Sequence, residues 1–292
     1  MTFNTNDTTT PGEVIEPPVL LTGLRGPWRR SPTVSADKGT LESRWITITD
    51  GLTMYTRLSR EPIAAPTSAI VLVHGLSVSS GYMVPTAVRL APSYRVWVPD
   101  LPGFGRSARP DHILTIPELA DALAAWMQAV RLPSATLLGN SLGCQIIVNL
   151  AVRYPERIEH AILVSPTMDP KARTIHQEAG RLLRDVACEP PHFLPVLLRD
   201  YLVAGIPRTI GTLRSAFEDP MEEHLPQVHV PTLVVRGARD PIVPQEWVEK
   251  VHRLVPKSQL VVVPQAGHAV NFNSPEKLVR IIRSFLHDRS HC

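Results

Sequence analysis

The amino-acid sequence predicts an α/β fold: a mostly parallel sheet covered by helices on both faces, led by an antiparallel hairpin and interrupted by a helical insertion. Three observations predict it. Continuous apolar runs at 69–73, 94–98, 134–138, 158–164, 232–235 and 259–263 have the length of strands buried on both faces. Segments with helical periodicity lie between most of them, the pattern of parallel strands joined by crossover helices. The interval 166–230 has no strand pattern and reads as helices alone.

The elements follow in order. Residues 1–43 form an N-terminal extension. Its first 18 positions are rich in Thr, Asn, Pro and Glu and are expected to be disordered. A basic, Trp-bearing patch at 24–30 reads as an arm packed on the domain, with a partner surface as the alternative. Residues 44–49 and 52–58 alternate apolar and polar, and Asp50-Gly51 between them signals a two-residue hairpin turn. Thr115-Ile116-Pro117-Glu118 opens a helix with a capping box and an early proline. Residues 144–154 read as a helix after the 134–138 strand. Within 166–230, residues 171–187, 191–204 and 207–217 read as amphipathic helices, and Ser274-Pro275-Glu276 opens the last helix. The expected organisation is therefore a core of 44–165 plus 231–292, with 166–230 as a helical lid inserted between two core strands.

Composition narrows the function. Of 292 residues, 43% are hydrophobic and 20% charged, as in a soluble globular protein. A formal net charge of +3 is too small to imply nucleic acid. The three cysteines, Cys144, Cys188 and Cys292, suggest neither a disulfide framework nor a thiolate metal site, which points to a reducing compartment. The first residues lack the basic and apolar regions of a signal peptide, and no apolar run approaches the roughly 20 residues that span a bilayer. The expected setting is cytoplasmic, with a small-molecule substrate, no membrane, and a second copy of the chain as a possible partner. No metal or organic cofactor is expected.

The chemistry-bearing stretch is Gly139-Asn140-Ser141-Leu142-Gly143. It lies between a strand and a helix, where a sharp turn projects the serine hydroxyl out of the sheet. Its glycines remove Cβ atoms that would clash in such a turn. A serine nucleophile needs a base within hydrogen-bond reach, itself oriented by an acid. His268, in Gln265-Ala266-Gly267-His268-Ala269, follows the last strand. Asp240 follows the 232–235 strand. Loops at the carboxyl ends of parallel strands are where α/β sheets place ligand-facing groups. Asp169, after the 158–164 strand, is the alternative acid. Asp100 reads as a structural turn residue, and His74 as a residue bracing its loop. An oxyanion hole needs two backbone N–H groups. Leu142 supplies one; Leu76, with Ser77 as the alternative, supplies the other from the loop after 69–73.

These pieces resemble the α/β-hydrolase superfamily. The motifs are Val73-His74-Gly75-Leu76, Asp100-Leu101-Pro102-Gly103-Phe104-Gly105-Arg106-Ser107, Gly139 to Gly143, Tyr154-Pro155-Glu156-Arg157-Ile158, Gly237-Ala238-Arg239-Asp240-Pro241 and Gly267-His268, covering about 44–288. The order Ser141, Asp240, His268 is that of the family's triad. The resemblance is to the branch holding meta-cleavage-product C–C hydrolases, microbial carboxylesterases and cofactor-free haloperoxidase-like enzymes. Gly139-Asn140-Ser141 is similar to the C–C hydrolases. Against that subgroup, His74-Gly75-Leu76-Ser77-Val78-Ser79 replaces its glycine-rich oxyanion loop, and Ala269 stands where its members carry tryptophan. A serine at the elbow also argues against members of this fold with an aspartate nucleophile. The resemblance implies a serine hydrolase cleaving an ester or related acyl bond of a small, largely apolar substrate. C–C hydrolysis or acyl transfer is the nearest rival, and a small-molecule receptor on the same fold is the rival of another class.

Substrate is less legible. Residues 166–230 carry seven Lys/Arg against nine Asp/Glu, so no strong field for an anion follows. Leu194, Val196, Leu197, Tyr201, Leu202 and Phe217 either line an apolar acyl pocket or pack the lid on the domain.

Overall fold

The computed structural model describes residues 39–49, 51–60, 68–170, 180–181, 184 and 194–287. The 24–30 patch, Asp50, Cys188, Cys292 and most of the helix expected over 171–187 lie outside the described residues.

Eight strands form one sheet: β1 (Leu41–Thr49), β2 (Leu52–Ser59), β3 (Ala69–Val73), β4 (Arg95–Pro99), β5 (Ala135–Asn140), β6 (Ile158–Val164), β7 (Thr232–Gly237) and β8 (Ser258–Val263). Their spatial order is β1-β2-β4-β3-β5-β6-β7-β8. The β1–β2 hairpin and its pairing to β4 are antiparallel, and every later pairing is parallel. β1 begins at Leu41, ahead of the alternation that starts at Arg44. Leu41, Glu42 and Ser43 pair with Ser59, Leu58 and Arg57, so ladder hydrogen bonds rather than apolar pattern extend this edge strand.

The buried strands feed both faces. Val71 and Val73 join a cluster with Trp97, Leu123, Trp126 and Ile147, while Ile70 and Leu72 join one with Tyr82, Met83, Leu278 and Ile282. This is the period of two in a strand apolar throughout. Helices α1 (Ser80–Leu90) and α9 (Pro275–His287) cover the second face; α2 (Ile116–Ala129), α3 (Leu142–Arg153) and α7 (Gln245–Leu254) cover the first. The expected capping box opens α2: the Glu118 N–H donates to Thr115 Oγ1, and the Thr115 N–H to Glu118 Oε2 at 2.7 Å.

Between β6 and β7 the described chain carries helices and no strand. It contains α4 (Leu194–Ala204), α5 (Ile206–Glu218), the short α6 (Met221–His224) and a 3₁₀ turn at Leu225–Gln227. The register aligns Val73 with Gly139, Asn140 with Val164, and Val164 with Val235. The loops after β3, β5, β6 and β7 therefore leave the sheet at one edge, its carboxyl edge.

Candidate active site

Ser141 lies between the last residue of β5 and the first of α3, with φ 57° and ψ −123°. A left-handed φ is costly for a residue bearing a Cβ, and the surroundings must hold it. They do so through the Ser141 N–H, which donates to the Val164 carbonyl at 3.0 Å, and through close backbone approach. A Cβ on Gly143 would run into the Val73 carbonyl, and one on Gly75 would lie 3.2 Å from the Ser141 Cβ. The loop after β3 is thus pressed against the elbow. Leu76 sits half-buried in that loop. Leu142, buried, is the first residue of α3 and carries an N–H that the helix cannot satisfy internally.

His268 and Asp240 come together. His268 Nδ1 lies 3.0 Å from Asp240 Oδ2, and both residues are buried. A ring nitrogen facing a carboxylate carries the proton, which leaves Nε2 as the acceptor. The other Asp240 oxygen accepts the N–H groups of Ile242 and Val243 at 2.8 and 3.0 Å. Burial alone would raise the Asp240 carboxyl. The His268 ring and the Val243 N–H outweigh it and hold the group below the usual carboxylate value. The Arg236 guanidinium spans the same loop, donating to the carbonyls of Val243 and Asp240 at 2.7 and 3.1 Å. Asp169 instead faces Arg181, at 3.8 Å.

His74 braces the loop, as the sequence suggests. Its Nε2 accepts the Leu101 N–H at 2.9 Å and its Nδ1 lies 2.9 Å from the Gly75 carbonyl. Burial lowers its pKa against the raising pull of Asp100 and the Gly75 carbonyl, so the neutral ring is favoured. Asp100 is structural too, accepting the N–H groups of Ser80 and Arg106 at 2.5 and 2.8 Å.

Sequence reasoning missed the residues that seat the histidine loop. Asn140 Nδ2 donates to the His268 carbonyl at 3.3 Å, while its Oδ1 accepts the Tyr82 hydroxyl at 2.9 Å. Asn271 then donates to the Tyr82 carbonyl, and the Thr86 hydroxyl to the Asn271 carbonyl. Asn140 therefore joins the elbow to the His268 loop and to α1. Its place beside Ser141 was legible, but its partners 58 and 128 residues away were not.

Of the six apolar residues singled out in 166–230, Leu197 and Tyr201 pack against the core cluster that holds Ile70, Leu72 and Tyr82, and Phe217 packs against the opposite cluster. Leu194 and Leu202 are 50% and 74% exposed. They fall with Leu198 on the outer side of α4, four residues apart, because that helix is apolar nearly all round.

Among the described residues, no cluster of three or more His, Cys, Asp or Glu is placed to hold a metal ion, and no helix is long and apolar enough to cross a membrane.

Comparison with known proteins identifies the family of the chain. The chain is 27% identical over 240 residues to a pimeloyl-(acyl-carrier protein) methyl ester esterase of Nitrosomonas europaea, covering 72% of this chain and 92% of that one. It is 27% identical over 272 residues to carboxylesterase YbfK of Bacillus subtilis, covering 84% and 90%. A thermophilic esterase from Thermogutta terrifontis superposes with a TM-score of 0.70 at 25% identity, over 85% of this chain and 98% of that one. Residues 70–281 match the model of the alpha/beta hydrolase family. That match takes in the strands from β3 to β8 and the loops carrying Ser141, Asp240 and His268, and it makes this chain a member of the alpha/beta hydrolase family.

Proposed function

We propose that this chain is a serine hydrolase that cleaves an ester of a small, largely apolar acid through an acyl-enzyme on Ser141. The observation that carries the reading is the 3.0 Å contact of His268 Nδ1 with Asp240, on a loop tied through Asn140 to the Ser141 elbow. Ser141 Oγ attacks the substrate carbonyl carbon and its proton passes to His268 Nε2. The negative charge that develops on the carbonyl oxygen is met by the N–H groups of Leu142 and Leu76. The carbon–oxygen bond to the alcohol then breaks as His268 returns the proton to the leaving oxygen. Water, deprotonated by the same nitrogen, hydrolyses the acyl-enzyme. Asp240 holds the imidazole tautomer and stabilises the imidazolium without itself taking the proton. Its depressed pKa suits that role.

The choice of an ester over a C–C bond rests on the esterases among the relatives and on the loop sequence after β3. The helices of 194–227, read with the rest of 166–230 as a lid, would exclude water and select the acyl group. The test is active-site labelling with a fluorophosphonate beside turnover of p-nitrophenyl esters. Wild type should label, show a burst and turn over. Ser141→Ala should do none of these while keeping its fold. Labelling of the alanine variant at the wild-type rate would remove Ser141 from the mechanism.

A further inference from the structure

The loop between β3 and α1 is held from two sides. The core holds it through His74 and through Asp100, which accepts the Ser80 N–H. The lid holds it through two serine hydroxyls. Ser77 Oγ lies 2.6 Å from Thr209 Oγ1 on α5, and the Ser79 hydroxyl donates to Asp200 Oδ2 on α4, also at 2.6 Å. Thr209 spends its own proton on the Gly205 carbonyl at 3.0 Å, so Ser77 is the donor to Thr209. Each contact spans more than 120 residues of sequence and lands within three residues of Leu76.

Both contacts fall where the backbone needs support. Ser77 is fully buried at φ 57°, a left-handed conformation that costs a residue with a Cβ on the order of 1–3 kcal/mol unless its surroundings impose it. Gly75, two residues back, is the residue pressed against Ser141. Ser79 caps α1, its Oγ accepting the Gly81 N–H. Asp200 is 4% exposed, a costly place for a carboxylate. Burial pushes it up to about 6; the Ser79 hydroxyl opposes this, Asp100 adds to it and Arg199 lowers it.

The lid does not need these contacts for anchorage. Its far end is fixed to α3 by Asp219, which accepts from Gln145 Nε2 at 2.6 Å and from Asn149 Nδ2 at 2.9 and 3.0 Å. Ser215 Oγ also accepts the Ile116 N–H at the start of α2.

We propose that Thr209 and Asp200 are positioning residues for the oxyanion hole. By holding Ser77 and Ser79, they fix the backbone that aims the Leu76 N–H at the developing oxyanion, so that seating the lid and completing the hole are one event. This rests on the acyl-enzyme reading above.

The experiment pairs ester kinetics with a trifluoromethyl ketone. The ketone adds to Ser141: an Oγ–C bond forms, the carbonyl π pair becomes an oxyanion in the hole, and the hydroxyl proton goes to His268. Thr209→Val and Asp200→Ala should each lower kcat on the order of tenfold, as a misaimed group does. They should weaken the ketone by a similar factor and leave KM within about twofold. Thr209→Ser and Asp200→Asn, which keep an oxygen acceptor, should recover most of the loss. Ser77→Ala removes the first contact from the loop side. Combined with Thr209→Val it should cost little more than either change alone, which keeps the test decisive if one variant folds poorly. A raised KM with kcat and ketone affinity unchanged would overturn the proposal and make both residues substrate contacts. Wild-type values in all variants would overturn it as well. A wild-type protein that neither turns over esters nor binds the ketone would instead sink the acyl-enzyme reading.

Discussion

The carboxyl edge of the sheet and the helices of 194–227 are built by different means. At the edge, Ser141, Asp240 and His268 sit within a few residues of strand ends, and nearby backbone N–H groups set their loops: the Ser141 N–H donates to the Val164 carbonyl, and the N–H groups of Ile242 and Val243 donate to Asp240 Oδ1. In those helices, position is set by side-chain contacts across long stretches of chain: Thr209 to Ser77, Asp200 to Ser79, and Asp219 to Gln145 and Asn149. The first arrangement is anchored at the ends of sheet strands. The second consists of separate side-chain bonds, each of which a single substitution can remove. On the proposed function, chemistry falls to the edge and selection of the acyl group to the helices of 194–227, which also brace the loop beside Leu76.

The largest expected effect tests the edge. Asp240→Asn should lower kcat by about 10⁴-fold, because an amide favours the wrong imidazole tautomer. Asp169→Asn, at a residue paired with Arg181, should cost under about tenfold on the same esters. The reverse ranking in steady-state kinetics would move the acid to Asp169.

The next effect separates the regions by pH. Asp240 is depressed in the fold, so its stabilisation is present at neutral pH and is lost as the pH falls through its folded value. Asp200 has the opposite sign. Raised from 3.8 to about 6, it contributes stability that is full below about 4 and is lost as the pH rises through about 6. The change is on the order of 2 kcal/mol. Asp200→Asn should flatten the slope of melting temperature between pH 4 and 7 and leave the protein more stable than wild type at pH 7. An unchanged slope would mean that Asp200 is already solvated in the native state.

The smallest effect concerns selection. Leu197→Ala or Phe217→Ala should shift preference among p-nitrophenyl esters toward longer acyl chains by roughly tenfold, as expected for a methylene or two of pocket. Ser141 labelling should stay near the wild-type rate. If both variants fold and keep the wild-type ranking, residues 194–227 are a structural layer and the division of labour fails.

How much of this was legible in the sequence follows from the range of the interactions involved. β3 and β6 could be bounded to the residue because apolar runs flanked by polar turns define them locally. β5 runs on to Asn140 and β7 to Gly237, past their apolar runs, because parallel pairing continues after the side chains cease to be apolar. The Thr115 capping box and the bracing by His74 were readable for the same reason: each is settled within a turn or by the neighbouring loop.

By itself, then, the sequence determined the α/β class, the helical insertion and the placement of Ser141, Asp169, Asp240 and His268 just after strands, since each depends on local pattern or on position after a strand. Only the tertiary structure decided that Asp240 rather than Asp169 meets the histidine, that Asn140 ties the elbow to the histidine loop, that Leu194 and Leu202 face outward, and that Thr209 and Asp200 grip the serines beside Leu76. The physical reason is that hydrogen-bond partners 28 to 132 residues apart leave no periodic trace in a chain. They become neighbours only when the register of the parallel strands brings their loops to one edge of the sheet.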